Sequence, residues 1–278
     1  MKIESYEINK LKIMCKNMRK NILDMAFNAG SESSHFGGGL SIVEICAVIY
    51  GHIMKYNIKN YKSENRDKFI LSKGHGVLGY YAALAEIGLL SKKDLEKFEK
   101  SDGFLFGHPI MNLSKGIELS TGSLGMGLSV GVGIALGIKK KSNNNKVFVV
   151  MGDGECNEGS VWEALMSASN YKLENLFLCI DRNNFQQTGS NKEIMDIGDI
   201  GKKIENFGWK VNYCDGHSLN ELIKSFNNTE IGKPTAIIAN TIKGKGFSFA
   251  ENNNDWHHKI LTKNQYEIAL DEITNNGT

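Results

Sequence analysis

Two short apolar runs, each ending in polar residues and set about thirty residues apart, constrain the fold of this chain more than any other feature. The first is Lys146-Val-Phe-Val-Val-Met-Gly-Asp-Gly-Glu155 and the second is Leu176-Phe-Leu-Cys-Ile-Asp-Arg-Asn-Asn-Phe185. Continuous runs of Val, Ile and Phe read as strands buried on both faces, the pattern of a parallel sheet. Between them, residues 159–171 carry Val161, Leu165 and Ala168 on one face of a helix. Strand, helix and strand make a βαβ unit, whose right-handed crossover sets the strands parallel. Asp153 and Asn183 then leave the sheet together at its carboxyl edge, where open α/β sheets bind ligands.

The ligand types narrow what could bind. A carboxylate, a side-chain amide oxygen and a nearby backbone carbonyl are hard donors that suit magnesium or calcium and suit zinc poorly. Magnesium keeps few protein ligands and completes its shell with water and phosphate oxygens. The glycines flanking Asp153 let backbone amides approach a phosphate closely. A lone Gly-Asp-Gly after a strand is commonly just a turn. Its spacing across a whole βαβ unit, with Asn183 at the end of the second strand, points instead to a magnesium–diphosphate site.

Gly152-Asp-Gly154 followed by Asn183-Asn184 resembles the thiamine-diphosphate signature of transketolases and related enzymes, and residues 155–164 are closest to transketolase itself. The resemblance implies that Asp153, Asn183 and the Phe185 carbonyl hold Mg2+ (or Ca2+), with the Gly154 amide and Glu155 at the diphosphate. It covers essentially the whole chain. Ser34-His35-Phe36-Gly37 is similar to the family's first histidine motif, which usually reads Gly-His-Pro. Ser72-Lys-Gly-His75-Gly76 and Gly107-His108-Pro109 match well. Trp256-His257-His258-Lys259 resembles Trp-His-Gly-Lys, which selects His257 over His258. Thr121-Gly122-Ser123-Leu124-Gly125 corresponds to the loop that contacts the cofactor's aminopyrimidine, with Ser123 in place of proline and hence a less rigid loop. Lys243 and Lys259 match lysines near the diphosphate. Thr188 is a further departure.

Four of the seven histidines, His35, His75, His108 and His257, thus sit beside glycine-rich or strand-end turns, whereas His52 and His217 read as ordinary surface or core residues. In the family the cofactor serves as an electron sink for a two-carbon unit passed from a ketose to an aldose, and oxygens gain and lose protons throughout. Because histidine titrates near neutrality, it is suited to those transfers. The resemblance assigns His35, His108 and His257 to oxygens around the reacting carbon, and His75 to cofactor phosphate or a substrate hydroxyl.

The rest of the chain fits one large α/β domain. At 278 residues, 41% apolar and 23% charged, it can build a full core, and a net charge of +2 gives no case for nucleic acid or anionic membrane. Five widely spaced cysteines without a C-x-x-C pair fit a reducing cytoplasm, and the N-terminus has no apolar signal core. Residues 119–138 carry no charge and could span a bilayer by length. Their glycines and hydroxyls favour a buried helix after a glycine-rich loop.

In order, the periodicity predicts an amphipathic helix over 8–29, a glycine-rich turn at 33–41, and a helix over 42–50 capped by Ser41. A strand at 67–71 and a helix over 77–87 follow, then a charged surface helix over 92–100. Residues 139–146 read as a basic helix end and solvated loop. A polar irregular loop is expected at 186–199, a helix at 200–207, a strand at 209–214, a helix at 219–227, a strand at 236–241 and a C-terminal tail. With two prolines and no linker, the expected fold is a doubly wound, mostly parallel sheet with helices on both faces, a single diphosphate-binding (PP-type) domain over 1–278.

Transketolase polypeptides are more than twice this long. The resemblance stops short of the pyrimidine-binding and C-terminal domains, and so of the glutamate and aromatic pocket that serve the aminopyrimidine. It therefore implies the N-terminal half of a split transketolase, active only with a C-terminal partner in an α2β2 assembly and acting on sugars or sugar phosphates. Glu158 and Glu163 match acidic residues near the contact between polypeptides; Glu163 equally suits a solvated helix face. Three alternatives stay open: the α chain of a thiamine-dependent 2-oxo acid dehydrogenase, a deoxyxylulose-phosphate synthase fragment, and a non-catalytic transketolase-like binding protein.

Overall fold

The computed structural model describes residues 4–56, 63 and 65–275. Five strands, β1 (Lys68–Leu71), β2 (Val147–Gly152), β3 (Leu176–Arg182), β4 (Lys210–Asp215) and β5 (Thr235–Asn240), form one sheet in the order β1-β2-β3-β5-β4. Every pairing is parallel, so the sheet is wholly rather than mostly parallel. Alternate strand residues feed two cores. Phe148, Val150, Phe177, Cys179 and Ile237 face one layer, while Val147, Val149, Met151, Leu178 and Ile238 face the other.

The helices follow from the handedness of the crossovers. From β2 to β3 the chain crosses by α7 (Gly159–Asn170), and from β3 to β4 by α9 (Ile200–Asn206), both packed in the second layer beside α6 (Met126–Lys140). β4 returns inward to β5, so its helix α10 (Leu219–Asn227) must lie on the opposite face, with α1 (Ser5–Ala29).

Residues 33–41 are not simply a turn. Helix α2 (Phe36–Leu40) holds three consecutive glycines, each facing a different wall. A Cβ on Gly37 would lie 2.9 Å from the Trp256 carbonyl oxygen, on Gly38 3.1 Å from the His75 ring, and on Gly39 2.8 Å from Leu78 Cβ. Gly79, in α4 (Val77–Glu86), meets Gly39 from the other side, where a Cβ would stand 2.5 Å from the Gly39 carbonyl. Bare backbone lets α2 and α4 touch. Ser41 does not cap the next helix, α3 (Val43–Val48); its hydroxyl donates inward to Asp181 at 2.7 Å. A π-helical turn at Ile49–Ile53 continues this run. The Phe36–Ile53 stretch is long and apolar enough to cross a membrane, yet 83% of it is buried inside the fold.

Three further expectations change. The charged helix is only α5 (Lys92–Glu96), closed by a reciprocal Ser91–Asp94 capping box. The loop over the site contains a short helix, α8 (Asn191–Ile194), capped in the same way by Ser190 and Glu193. The C-terminal tail ends in α11 (Lys263–Asn275), which docks on α1: Tyr266 stacks on Phe27 at 4.4 Å and its hydroxyl donates to Asp24 at 2.7 Å.

Because the obstacle at Gly79 is backbone, Gly79→Ala is expected to destabilise the chain by about 1–3 kcal/mol. Gly133→Ala, on an exposed position of α6 with no atom within 4 Å, is expected to be neutral or to stabilise by up to about 1 kcal/mol. Urea unfolding of the two variants checks both signs.

Candidate active site

The carboxyl ends of β1, β2, β3 and β5 open on one cavity of about 400 Å3. It is lined by Lys73, His75, Asp153, Gly154, Asn183 and Phe185, with Gln186, Lys243, His35, His108 and His257 around them.

Its floor is held by Asp181, wholly buried at the end of β3. One carboxylate oxygen accepts from Lys73 Nζ at 2.5 Å, Ser41 Oγ at 2.7 Å and Asn183 Nδ2 at 2.9 Å; the other accepts from Thr241 Oγ1. Burial works against ionising Asp181, but the Lys73 charge and these donors outweigh it and hold the carboxyl below its usual range. Asp181 thereby fixes the Asn183 amide with its nitrogen down. The amide oxygen accepts from Phe185 N at 3.0 Å and keeps a second lone pair for a cation.

Asp153, 1% exposed, accepts from Gly154 N at 2.8 Å and from Asn184 N at 2.6 Å, which ties the β2 and β3 tips together. Asn184 takes a left-handed φ of 65°, which asparagine tolerates, and so turns Asn183 and Phe185 back over the tip. Burial first, then the neighbouring Asp181 charge, push the Asp153 carboxyl up to about 6. A cation would offset both effects. Among the described residues no three His, Cys, Asp or Glu side chains group as metal ligands, so a cation here would take mixed oxygen donors. Asp153, the Asn183 amide oxygen and the Phe185 carbonyl are all hard donors, and they fit magnesium or calcium. Gly154 is bare where a Cβ would meet Gln186 Cγ at 2.7 Å.

Opposite this floor stand the histidines. The His35 ring lies 5.8 Å from His75, 5.3 Å from His108, 5.4 Å from His257 and 4.4 Å from His258. They do not titrate near neutrality as expected. Burial, then the His258 ring, push His35 down to about 3; burial, then the Lys243 charge, bring His257 to about 4. Burial and Lys73 hold His75 well below its ordinary value, and burial lowers His108 against the opposing pull of Glu99. At neutral pH these rings are uncharged, each with one N–H donor and one acceptor nitrogen. Lys243 Nζ lies 3.1 Å from His257 Nδ1; an ammonium only donates, so His257 carries its proton on Nε2. Burial and the Lys73 charge bring Lys243 down to about 8, which leaves it mostly cationic at pH 7. His35 Nδ1 and Gln186 Nε2 are buried with no hydrogen-bond partner in the fold. Such atoms each cost about 1–3 kcal/mol unless a bound group satisfies them.

Not every predicted residue reaches the cavity. Glu155 lines it, but its carboxylate is taken up by Ser72 Oγ, Gly125 N at 2.8 Å and Gly152 N at 3.2 Å, as a brace for the 121–125 loop. Gly122 and Leu124 line the cavity, while Ser123 is exposed to solvent. Lys259 is turned away to Asp255 at 3.2 Å. His257 lines the cavity and His258 does not. Glu158 and Glu163 are exposed on the α7 side. Phe36, the departure from Gly-His-Pro, is fully buried and stacks on Phe247 at 5.5 Å, with Trp256 equally close. That aromatic cluster anchors the segment bearing His257.

Several contributors escape a reading of the sequence alone: Lys73, Ser41, Asp181, Gln186 and Thr241. The one available signal is a charge, Asp181, inside an apolar strand. His217 is not an ordinary residue either. Its Nε2 accepts from Ile242 N at 2.8 Å and its Nδ1 donates to Glu44 at 2.9 Å, and Glu44 in turn pairs with Arg19 at 2.5 Å. This chain of bonds holds the loop that carries Lys243.

A parallel α/β sheet whose carboxyl edge gathers a diphosphate-type oxygen-donor floor and a wall of histidines defines a thiamine-diphosphate-binding domain. Residues 12–273 match the family described as transketolase, thiamine diphosphate binding domain, and the chain belongs to the transketolase family. One of the two chains of the apulose-4-phosphate transketolase from Actinobacillus succinogenes is 40% identical over 267 residues, covering 95% of this chain and 96% of that one. Human transketolase is 37% identical over 98% of this chain but only 43% of its own length. The crystal structure of Campylobacter jejuni transketolase superposes with a TM-score of 0.88 at 29% identity, covering 99% of this chain and 43% of that one. The chain thus spans about two fifths of the full-length transketolases it matches. The match decides for transketolase over the 2-oxo acid dehydrogenase and deoxyxylulose-phosphate synthase readings.

Two outcomes follow from the electrostatics. Lys73→Met leaves the Asp181 carboxylate buried without its cation, and urea unfolding is expected to register a loss of about 3–5 kcal/mol. Second, His35 and His257 stay neutral in the folded chain, while in the unfolded chain they take protons as pH falls through about 6.5. The unfolded state then binds more protons, so their contribution is intact above about 6.5 and is lost as pH drops toward 4. His35→Asn is expected to flatten that acid limb in a series of denaturation midpoints against pH.

Proposed function

We propose that this chain is the diphosphate-binding half of a two-chain transketolase, moving a two-carbon ketol unit from a ketose phosphate to an aldose phosphate. The observation that carries it is the convergence of Asp153, Asn183 and Phe185 with four histidines on one cavity, in a chain that matches a relative named as a transketolase subunit over nearly its full length. A second relative of similar extent, a 6-deoxy-6-sulfo-D-fructose transketolase subunit from a Clostridium species, is 38% identical over 87% of this chain and 89% of its own.

In this reading Asp153, the Asn183 oxygen and the Phe185 carbonyl hold Mg2+, and the Gly154 amide and Lys243 face the diphosphate of thiamine diphosphate. When bound, the cofactor supplies the electron sink for the transferred two-carbon unit. His35, His108 and His257 address oxygens around the reacting carbon as neutral donors and acceptors. His75 addresses phosphate or a substrate hydroxyl. Lys243 sets the His257 tautomer, so that an N–H rather than a lone pair stands on Nε2.

The site is completed by a C-terminal partner subunit that brings the pyrimidine-binding domain, in an α2β2 assembly in the cytoplasm. Half-exposed apolar residues at the cavity lip, Ile110, Met111 and Met126 beside Leu124, support a partner covering that side.

The test is co-expression with candidate partners, followed by ketol transfer assays with and without thiamine diphosphate and magnesium. Activity is expected only for the pair with both added. Asp153→Ala is expected to weaken magnesium-dependent cofactor binding by at least about a hundredfold in titration calorimetry. Retained binding in that variant removes the metal assignment, and full transfer by the chain alone removes the partner.

A further inference from the structure

His258 is the one ring of the histidine cluster that lies outside the cavity. It is exposed, and its centroid stands 4.4 Å from His35, nearer than any of the three rings that share the cavity with His35. Its position is set by backbone, not by a loose side chain. Ser34 N donates to the Lys259 carbonyl at 3.4 Å and Lys259 N to the Ser34 carbonyl at 3.2 Å, an antiparallel bridge that carries His35 on one side and His258 on the other. Ser33 Oγ lies 3.1 Å from each nitrogen of the His258 ring, and one hydroxyl can engage only one of them at a time. The second nitrogen is left for a further partner.

The order of groups along the cavity gives that partner a chemistry. Oxygen donors for a cation and a diphosphate lie at the floor, neutral imidazoles in the middle and His258 at the rim over His35. A ligand whose reacting carbons meet His35 and extends outward must pass the rim ring. The geometry points to His258 as a specificity-determining residue that hydrogen-bonds a hydroxyl of the aldose chain beyond the reacting carbons, with Ser33 as the residue that positions it. This rests on the ketol-transfer reading above and names which part of the substrate this chain itself recognises.

The test uses the assembled two-chain complex with a pair of acceptors, a five-carbon aldose phosphate and glycolaldehyde, which has no chain to reach the rim. For His258→Gly the ratio of KM for the long acceptor to KM for glycolaldehyde is expected to rise about three- to tenfold, the size of one lost exposed hydrogen bond. His258→Gln, which keeps a donor and an acceptor, is expected to recover much of that ratio, and Ser33→Ala to move it in the same direction as His258→Gly by less. An unchanged ratio, or a ratio that glutamine does not recover, overturns the assignment while leaving ketol transfer itself in place. No transfer by the unaltered complex with any ketose–aldose pair overturns both.

Discussion

The ion pair between Lys73 and Asp181 holds the functional edge of this sheet together. Its side chains are 1% and 0% exposed, so neither charge has water to fall back on. A pair in that position is stable only when its remaining lone pairs and protons are also satisfied. Here they are, because Ser41, Thr241, Asn183 and the Gly38 carbonyl at 3.0 Å complete the set. The members come from α2 and its end, the tip of β1, the end of β3 and the segment after β5. One buried carboxylate therefore registers four separate parts of the chain against each other, and the orientation of the Asn183 amide is a by-product of that registration.

Charge in the cleft is sparing. The histidines contribute none at neutral pH, so positive potential comes from Lys73, already committed to Asp181, and from Lys243, itself lowered to about 8. Asp153 feels the negative charge of Asp181 more than it feels relief from Lys73. The result is a floor that favours a small cation beneath a wall of neutral hydrogen-bonding groups. Lys243 sits where the two meet, beside the His257 ring and 5.6 Å over the Phe185 ring.

The sequence carries the strands and their edge well, because buried parallel strands are written as unbroken apolar runs and ligands collect where those runs stop. It also carries the motif residues, since Asp153, Asn183 and the four turn histidines are local patterns. What it does not carry depends on distance. Nothing local says that Lys73 will find Asp181, 108 residues away, or that His217 will meet Glu44 across 173 residues. The glycines of α2 look like a turn until the three walls they face are known. Phe36 looks like a lost proline motif, and its use is visible only once Phe247, Phe249 and Trp256 stand around it. Histidine behaviour is hidden for the same reason: a pKa belongs to the surroundings, and those are assembled from several distant parts of the chain.

The bridge between Ser34 and Lys259 has a kinetic consequence. The neighbouring Ser33–His258 contact joins residues 225 positions apart, and closing so large a loop costs entropy before any contact rewards it. The metal-type floor, by contrast, spans a single βαβ unit and can form early from local pairing. Synthesis from the N-terminus thus leaves a nascent chain with an organised floor and an open front, and the histidine wall closes only once the final stretch bearing His257 has emerged.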